Sequence, residues 1–433
     1  MLFTELEPSI LCPISMTYAV TPALRGNAAI TADWSPKLAS RTYDARFLAA
    51  AYKNSVTMGM GMTEKQGGSD VRANTTQATF EGDDAWGKRF TLAGHKWFFS
   101  APMCDAFLVL AQTTSGLSCF FMPRILPDES INAIHIQRLK DKLGNKANAS
   151  SEVEFHKATA WLVGDEGRGI TQILEMGTMT RLDCALGTSG LMRQALSIAL
   201  NHTQQRQAFG KPLIEQPLMR NVLADLALES EAATALSMRL ARAFDNLSDV
   251  HERVMSRLLT PIAKFWICKR GSLFAQEAME CLGGNGYVEE GGEGIMARIY
   301  REMPLNSIWE GAGNLMAIDL LRGLRKGEAV HAVLEKELAP SRGSNDHFDQ
   351  FCDTWFASVR DQVAPDEVAG RTIANGLALL TQGHLLLQQS PSEVSSAFCE
   401  SRLGQGSGAT SGVFGALNAR VEQDAIVQRA LPR

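Results

Sequence analysis

The hydrophobic period changes twice along the chain, and a fold of one secondary-structure class cannot satisfy both changes. Between residues 58 and 163 the apolar runs are short and rich in β-branched and aromatic residues. "RFTLAGHKWFFSA", "AFLVLAQT", "LSCFFMPRI" and "SEVEFHKA" are split by Gly, Pro, Asp or Ser clusters, a pattern that predicts an all-β domain. From 167 to 327 the period is helical. "GITQILEMGTMTRLDCALGTSGLMRQALSIALNHTQQR" reads as one long helix. Ile214, Leu218, Val222, Leu226, Ala233, Leu236, Leu240 and Phe244 keep one stripe on a second, and "RLLTPIAKFWICKRGSLFAQEAMECL" forms a third. Long helices with short connections predict a bundle. Residues 1–57 read as short helical pieces, "CPISMTYAVTPALR" and "YDARFLAAAYKN", around a polar break, "GNAAITADWSPK", with too little apolar surface for a core of their own. Beyond 328 the pattern is helical but weaker ("HFDQFCDTWFASVRDQV", "VAGRTIANGLALLTQGHLLLQ"), and "GQGSGATSG" (404–412) reads as a flexible tract. The expectation is an α+β chain in four regions, 1–57, 58–163, 164–327 and 328–433.

At 433 residues the chain has room for two or three domains, and 45% hydrophobic with 21% charged residues is the balance of a globular protein. A net charge of -5 and a pI near 6.0 exclude a global attraction to nucleic acid or anionic membrane, so such binding would need a local basic patch. No apolar run has the length of a membrane span, and "MLFTELEPSILCPISM" lacks the basic start of a signal peptide. Eight scattered cysteines without a CxxC pair suit reduced core thiols and a cytoplasmic compartment.

Five short stretches carry candidate chemistry. In "NSIWEGAGN" (306–314) Glu310 sits between Trp309 and a Gly-x-Gly step. Either it is a solvated acid at a helix start, or it is a base aimed into a cleft, with the glycines clearing room for a ligand. "MTEKQGGSD" (62–70) offers Thr63, two glycines and Ser69, which make a surface turn or a loop that approaches a ligand closely. It is not GxGxxG and no helical run follows it, so a Rossmann or P-loop reading fails. In "GHKWFFS" (94–100) strand alternation would send two of the three aromatics into the core; a planar heterocycle would use the same rings and the Ser100 hydroxyl. "QRQAFG" (205–210) places Arg206 near Phe209, suited to pyrophosphate and adenine, or to a helix C-terminus. "CLGGNGY" (281–287) has three glycines within four residues, more than helix capping needs; an extended phosphate-bearing ligand accounts for the excess.

In this order and at these separations, the five stretches resemble the acyl-CoA dehydrogenase family over nearly the whole chain. "GMGMTEKQGGSDVRANTT", "HKWFFSAP", "LKDKLGNKANASSEVEF" and "REMPLNSIWEGAGN" are most similar to its branch of flavoproteins linked to the bacterial adaptive response to DNA alkylation. The resemblance implies a small β-barrel or sandwich domain, then a helical bundle and a helical C-terminal extension. It also implies bound FAD and a homo-oligomer built as a dimer of dimers. By that resemblance Met62, Thr63, Gly68 and Ser69 would hold the flavin and pyrophosphate, and Phe98 and Ser100 would lie at the isoalloxazine, Phe98 where many relatives have Trp. Arg206 and Phe209 would reach the adenine-diphosphate half of FAD in a neighbouring subunit, a half also served by Gly283 and Gly284. Gly311 and Asn314 would sit beside the cofactor. Glu310 aligns with the base that removes the α-proton of an acyl-CoA thioester; the alternative position that some relatives use is Thr180 here.

The resemblance has departures. Most of the family's N-terminal helical domain would be absent, Ala312 stands where Thr is common, and Glu280 where Gln is common. The alkylation-response branch is associated with double-stranded DNA, for which Arg322, Arg325 and Lys326 are the candidate contacts. Yet residues 322–433 hold eleven Lys or Arg against thirteen Asp or Glu, and the same cluster suits a helix C-terminus. Three functions are compatible with these features: an alkylation-response flavoprotein with weak dehydrogenase chemistry, an ordinary dehydrogenase of short or branched acyl-CoA, or an inactive remnant.

Overall fold

The computed structural model describes residues 1–289, 294–325, 328–360, 366–404 and 413–432. These fall into two units, Glu7–Thr180, and Met1–Leu6 with Arg181–Arg433. The short helix α1 (Leu2–Leu6) belongs to the second. Most of the "GQGSGATSG" tract lies outside the described residues.

The first unit opens with helix α2 (Leu11–Leu24), which buries Met16, Ala19, Val20, Ala23 and Leu24 at helical spacing. The expected polar break is instead helix α3 (Ala28–Leu38). Asn27 caps it, accepting from Ile30 N at 3.1 Å, and Ile30 and Trp34 fill the buried stripe one turn apart. The expected helix at "YDARFLAAAYKN" is irregular backbone with one 3-10 turn, Ala50–Tyr52. Asp44 takes the hydrogen bonds there, accepting from Arg46 Nε at 2.9 Å and Asn54 N at 2.9 Å, so a local carboxylate outcompetes the helix ladder.

Seven strands follow: β1 (Met58–Gly61), β2 (Gln77–Asp84), β3 (Gly87–Ser100), β4 (Ala106–Thr113), β5 (Gly116–Pro123), β6 (Ile134–Leu139) and β7 (Ser150–Val163). β2, β3, β7, β5 and β4 pair in turn, and Gln112 of β4 returns to Gln77 of β2, which closes a small barrel. β1 adds parallel to β4, and β6 antiparallel to β7. β4 and β5 are nearly continuous in apolar residues because both of their faces are buried. Trp34 of α3 meets Phe121 of β5 edge-on at 4.8 Å, so the N-terminal helices complete the barrel's core instead of making one of their own. Helix α4 (Gly169–Gln205) begins here, and the division between units falls within it.

The second unit is helical. A two-residue hairpin, β8 (Gln207–Ala208) with β9 (Lys211–Pro212), leads into α5 (Pro217–Asp245) and α6 (Val250–Glu280). Next come α7 (Gly284–Tyr287), α8 (Gly294–Asn306), α9 (Gly313–Leu324), α10 (Glu328–Leu338), α11 (Asp346–Arg360), α12 (Gly370–Gln389), α13 (Ser392–Phe398) and α14 (Gln423–Ala430). α6 is the hub, packing on α5, α8, α9 and α12. Residues after 328 share its core: Phe348, Leu377 and Phe398 are buried in one cluster with Leu226 and Leu236. Buried ions tie the C-terminal segment down, with Arg402 on Asp225 and Glu229, and Arg270 on Glu229 at 3.2 Å. Such groups are tolerable in a core only because each is paired.

Candidate active site

In the barrel unit the two motif stretches run side by side. Trp97 N donates to Thr63 O at 2.8 Å, and Asn74 Nδ2 holds Met62 O at 2.8 Å. Beneath them Lys96 and Glu64, both fully buried, form an ion pair at 2.7 Å, and Thr75 and Thr76 also donate to Glu64. Burial opposes ionisation of Glu64, but the Lys96 ammonium and these hydrogen bonds outweigh it and hold the carboxyl well below its usual range. Burial lowers Lys96 more than Glu64 restores it, leaving it at about 8. This pair, unread in the sequence, staples "TEKQGGSD" to "HKWFFS". The trace it left was a lone lysine in an otherwise apolar run.

Strand alternation does not hold across "KWFFS". The β3–β7 register shifts between Lys96 and Phe99, so a bulge turns two successive aromatics away from the core. Phe99 alone of the three is fully buried; Trp97 is half-buried and Phe98 is 49% exposed. Lys140 lies over both outer rings, 3.4 Å from the Trp97 centroid and 4.7 Å from that of Phe98. Met62, Thr63 and Ser100 are half-buried, and Gly68 and Ser69 are exposed. Gly68 has a reason internal to the loop: a Cβ there would stand 2.5 Å from Thr63 Oγ1.

In the helical unit the predicted residues lie on three separate segments. Arg206 and Phe209 belong to the β8–β9 hairpin. Phe209 (φ +53) and Gly210 (φ +82) are both left-handed, as a type I′ turn requires, and the Phe209 side chain is 97% exposed. Gly283 and Gly284 mark the α6–α7 junction. Gly283 has φ +60, and a Cβ on either residue would meet nothing within 4 Å. Gly286 differs, since its Cβ would press on Met279 O at 2.4 Å. One of the three glycines is thus set by packing and one by backbone conformation.

Glu310 and Gly311 lie half-buried at the α8–α9 junction, and Asn314, in the first turn of α9, is exposed. Its own backbone is left-handed (φ +58), as is that of Gly311 (φ +100). Three successive carbonyls are held by cations: Lys264 Nζ donates to Trp309 O at 2.7 Å and to Gly311 O, and Arg181 Nε to Glu310 O at 2.9 Å. Trp309 Nε1 is fixed on Asn306 Oδ1 at 3.0 Å, and Asn306 on Thr188 at 3.0 Å. The Cys184 thiol, pushed up by burial first, feels both the Lys264 ammonium and the Glu310 carboxylate. Thr180, at the alternative base position, is buried with its hydroxyl on Gly177 O at 3.1 Å. The glycines do not simply clear space. Gly311 supplies a backbone conformation, and a Cβ on Gly313 would crowd Lys269 Cε at 3.2 Å.

The start of α9 has Ala312 as N-cap, with no side-chain hydrogen bond to its free N–H groups. Arg371 Nε donates to Asn314 Oδ1 at 2.8 Å. Lys269 is lowered by burial first, then by Arg371 and Lys264. Cations and a helix N-terminus together favour an anionic group. At the other end, Arg322 lies in the last turn of α9 and Arg325 at its C-cap, both exposed; Lys326 lies outside the described residues.

A family model for the C-terminal domain of acyl-CoA dehydrogenase matches residues 167–324, and one for the middle domain matches 59–158. A third, for the N-terminal domain of the adaptive response protein AidB, matches 1–45. AidB of Escherichia coli (strain K12) is 50% identical over 401 residues, 92% of this chain and 72% of that protein. Acyl-CoA dehydrogenase family member 11 of Caenorhabditis elegans is 31% identical over 79% of this chain, which spans 56% of its length. The crystal structure of Caenorhabditis elegans ACDH-11 in complex with C11-CoA superposes with a TM-score of 0.78 at 27% identity, covering 90% of this chain and 71% of that one. The chain belongs to the acyl-CoA dehydrogenase family of FAD-dependent oxidoreductases.

Proposed function

We propose that the chain oxidises acyl-CoA thioesters, with Glu310 removing the α-proton. The observation that carries this reading is the Glu310 peptide: a half-buried acid in a left-handed backbone whose flanking carbonyls are all held by charged donors. Such an outlier persists where surrounding structure over-determines it, as at working sites. When bound, FAD would supply the two-electron acceptor that balances loss of the α-proton to Glu310 and of the β-hydrogen as the double bond forms. The chain's residues suit that group. In the barrel unit, Phe98 offers a ring face, Thr63 and Ser100 offer hydroxyls, and Met62, Gly68 and Ser69 offer backbone. In the helical unit, Gly283 and Gly284 leave open backbone, and the cations at the start of α9, with Gly311 and Asn314, suit phosphate charge. The displayed Phe209, with Arg206, suits the adenine-diphosphate half of a cofactor held by a second copy, which supports a homo-oligomer built as a dimer of dimers.

Purified protein is expected to be yellow with bound FAD. Anaerobic addition of butyryl-CoA or a C11 acyl-CoA should bleach it, and Glu310→Gln should slow the bleaching about 1000-fold. Bleaching at the wild-type rate in that variant would remove Glu310 from the role.

A second role, in the response to DNA alkylation, draws on the likeness to AidB and on the exposed Arg322 and Arg325. It predicts binding of double-stranded DNA that weakens steeply with salt and falls in an Arg322→Ala/Arg325→Ala variant. Binding unchanged by salt or by that variant counts against it. Seven of the eight cysteines are buried and none is disulfide-bonded, which suits a reducing cytoplasm, and no described helix is long and apolar enough to cross a membrane.

A further inference from the structure

Glu310 occupies a backbone conformation that an L-residue other than Gly, Asn or Asp rarely adopts, at φ +58. What keeps it there is visible in two side chains. Lys264, 1% exposed on α6, reaches the carbonyls on both sides, Trp309 O at 2.7 Å and Gly311 O. Arg181 takes the carbonyl between them, Glu310 O, at 2.9 Å. Its other arm meets Asp319 at 3.1 Å, and Asp319 is held again by Arg257 at 2.6 Å, so the contact is anchored to α9. Lys264 lies among Ile262, Ala263, Phe265 and Ile267, all buried. An apolar residue would suit that buried stretch of α6 better, because an ammonium taken out of water is costly to hold. Among the described residues its hydrogen bonds go to these two carbonyls, so the charge is spent on the shape of one peptide.

We propose that Lys264 is a positioning residue: with Arg181 it clamps the Trp309–Gly311 backbone in its left-handed turn and so fixes where the Glu310 carboxylate points. This rests on the reading of Glu310 as the base, and the two can fail separately.

The clamp is tested by a thermal cycle that needs no turnover. Glu310→Gly should raise the Tm of the full chain by about 2 °C, because glycine accepts the left-handed turn without strain. In a Lys264→Met background, where the turn has relaxed, the gain should vanish. An equal gain in both backgrounds would overturn the clamp. Should Lys264→Met not fold, Lys264→Leu, which also lacks a donor, takes its place under the same criterion. The chemistry is tested by the rate of flavin reduction with butyryl-CoA. Lys264→Met should slow it about 100-fold with acyl-CoA affinity changed less than about 3-fold, and Lys264→Arg should recover part of the rate. Wild-type reduction by Glu310→Gln would defeat the base while leaving the thermal cycle to judge the clamp. A dead Glu310→Gln beside a fully active Lys264→Met would defeat the positioning role alone.

Discussion

Each unit buries a lysine beneath a motif loop, and the two lysines are satisfied in different ways. In the barrel, Lys96 meets the Glu64 carboxylate as well as one carbonyl, Leu110 O at 2.8 Å, and the ion pair is sealed from solvent. In the helical unit, Lys264 meets carbonyl oxygens. A lysine on a carboxylate cancels charge and ties two segments together. A lysine on carbonyls leaves its charge in place and dictates the direction of the peptides it touches. The first is a device of the fold, and the second is a device of one residue's aim. The comparison predicts that damage to the two lysines reads out differently, in stability for the barrel and in rate for the helical unit.

The largest effect belongs to the residue that the second device aims. Glu310→Gln should cut flavin reduction by acyl-CoA about 1000-fold while the melting temperature stays near wild type. Comparable losses of rate and stability would erase the distinction between the units. Next comes the barrel. Lys96→Met leaves the Glu64 carboxylate buried without its partner and should cost about 3–5 kcal/mol in urea unfolding. Lys96→Met with Glu64→Gln should recover a good part of that. A loss below about 1 kcal/mol in the single variant would show that Gln66, Thr75 and Thr76 satisfy Glu64 without the lysine.

Period and motif were legible in the sequence, and contacts across the chain were not. α4, α5, α6, β3, β4, β5 and β7 announce themselves because their apolar spacing is sustained. β1 is only "MGMG", and β2 and β6 are almost wholly exposed, so none of the three leaves an alternation to read. α3 hid because it is short, carries Pro36 within it and buries only two residues, Ile30 and Trp34. Glu310 was visible in "IWEGAGN", but its clamp comes from Lys264 and Arg181, far back along the chain on α6 and α4. Likewise the outward turn of Phe98 depends on a bulge, which spacing alone does not predict.

A third test concerns acid, again within the helical unit. Burial raises Glu337, but Arg239 at 2.6 Å and His251 at 2.8 Å outweigh it and hold the carboxyl at about 2, against an ordinary 4.5. The folded value lies below the unfolded one, so this contribution is fully present above about 4.5 and fades as the pH falls toward 2. Discounted for partial solvent screening, it is on the order of 2 kcal/mol at neutral pH. Melting wild type and Glu337→Gln side by side should show a gap at pH 6 that narrows steadily to pH 2. A gap constant with pH would mean that Glu337 serves by shape, not charge.

The smallest effect sharpens the comparison most, because both units turn an aromatic outward by breaking a backbone rule. Phe98 is turned out by a bulge, which costs the residue itself little. Phe209 is held left-handed, which a ring-bearing side chain disfavours by about 1 kcal/mol, and it gains no burial in return. Judged by the isolated chain, Phe209→Asn should therefore stabilise by about 1 kcal/mol, since Asn tolerates that turn. The same change should loosen FAD and shift the oligomer toward smaller species if the ring serves a second copy. A variant that is less stable, yet keeps its oligomer and its FAD, would mean the ring is held by packing within its own chain. A more stable variant that loses both would identify the strained turn as the part of the helical unit built for its neighbour.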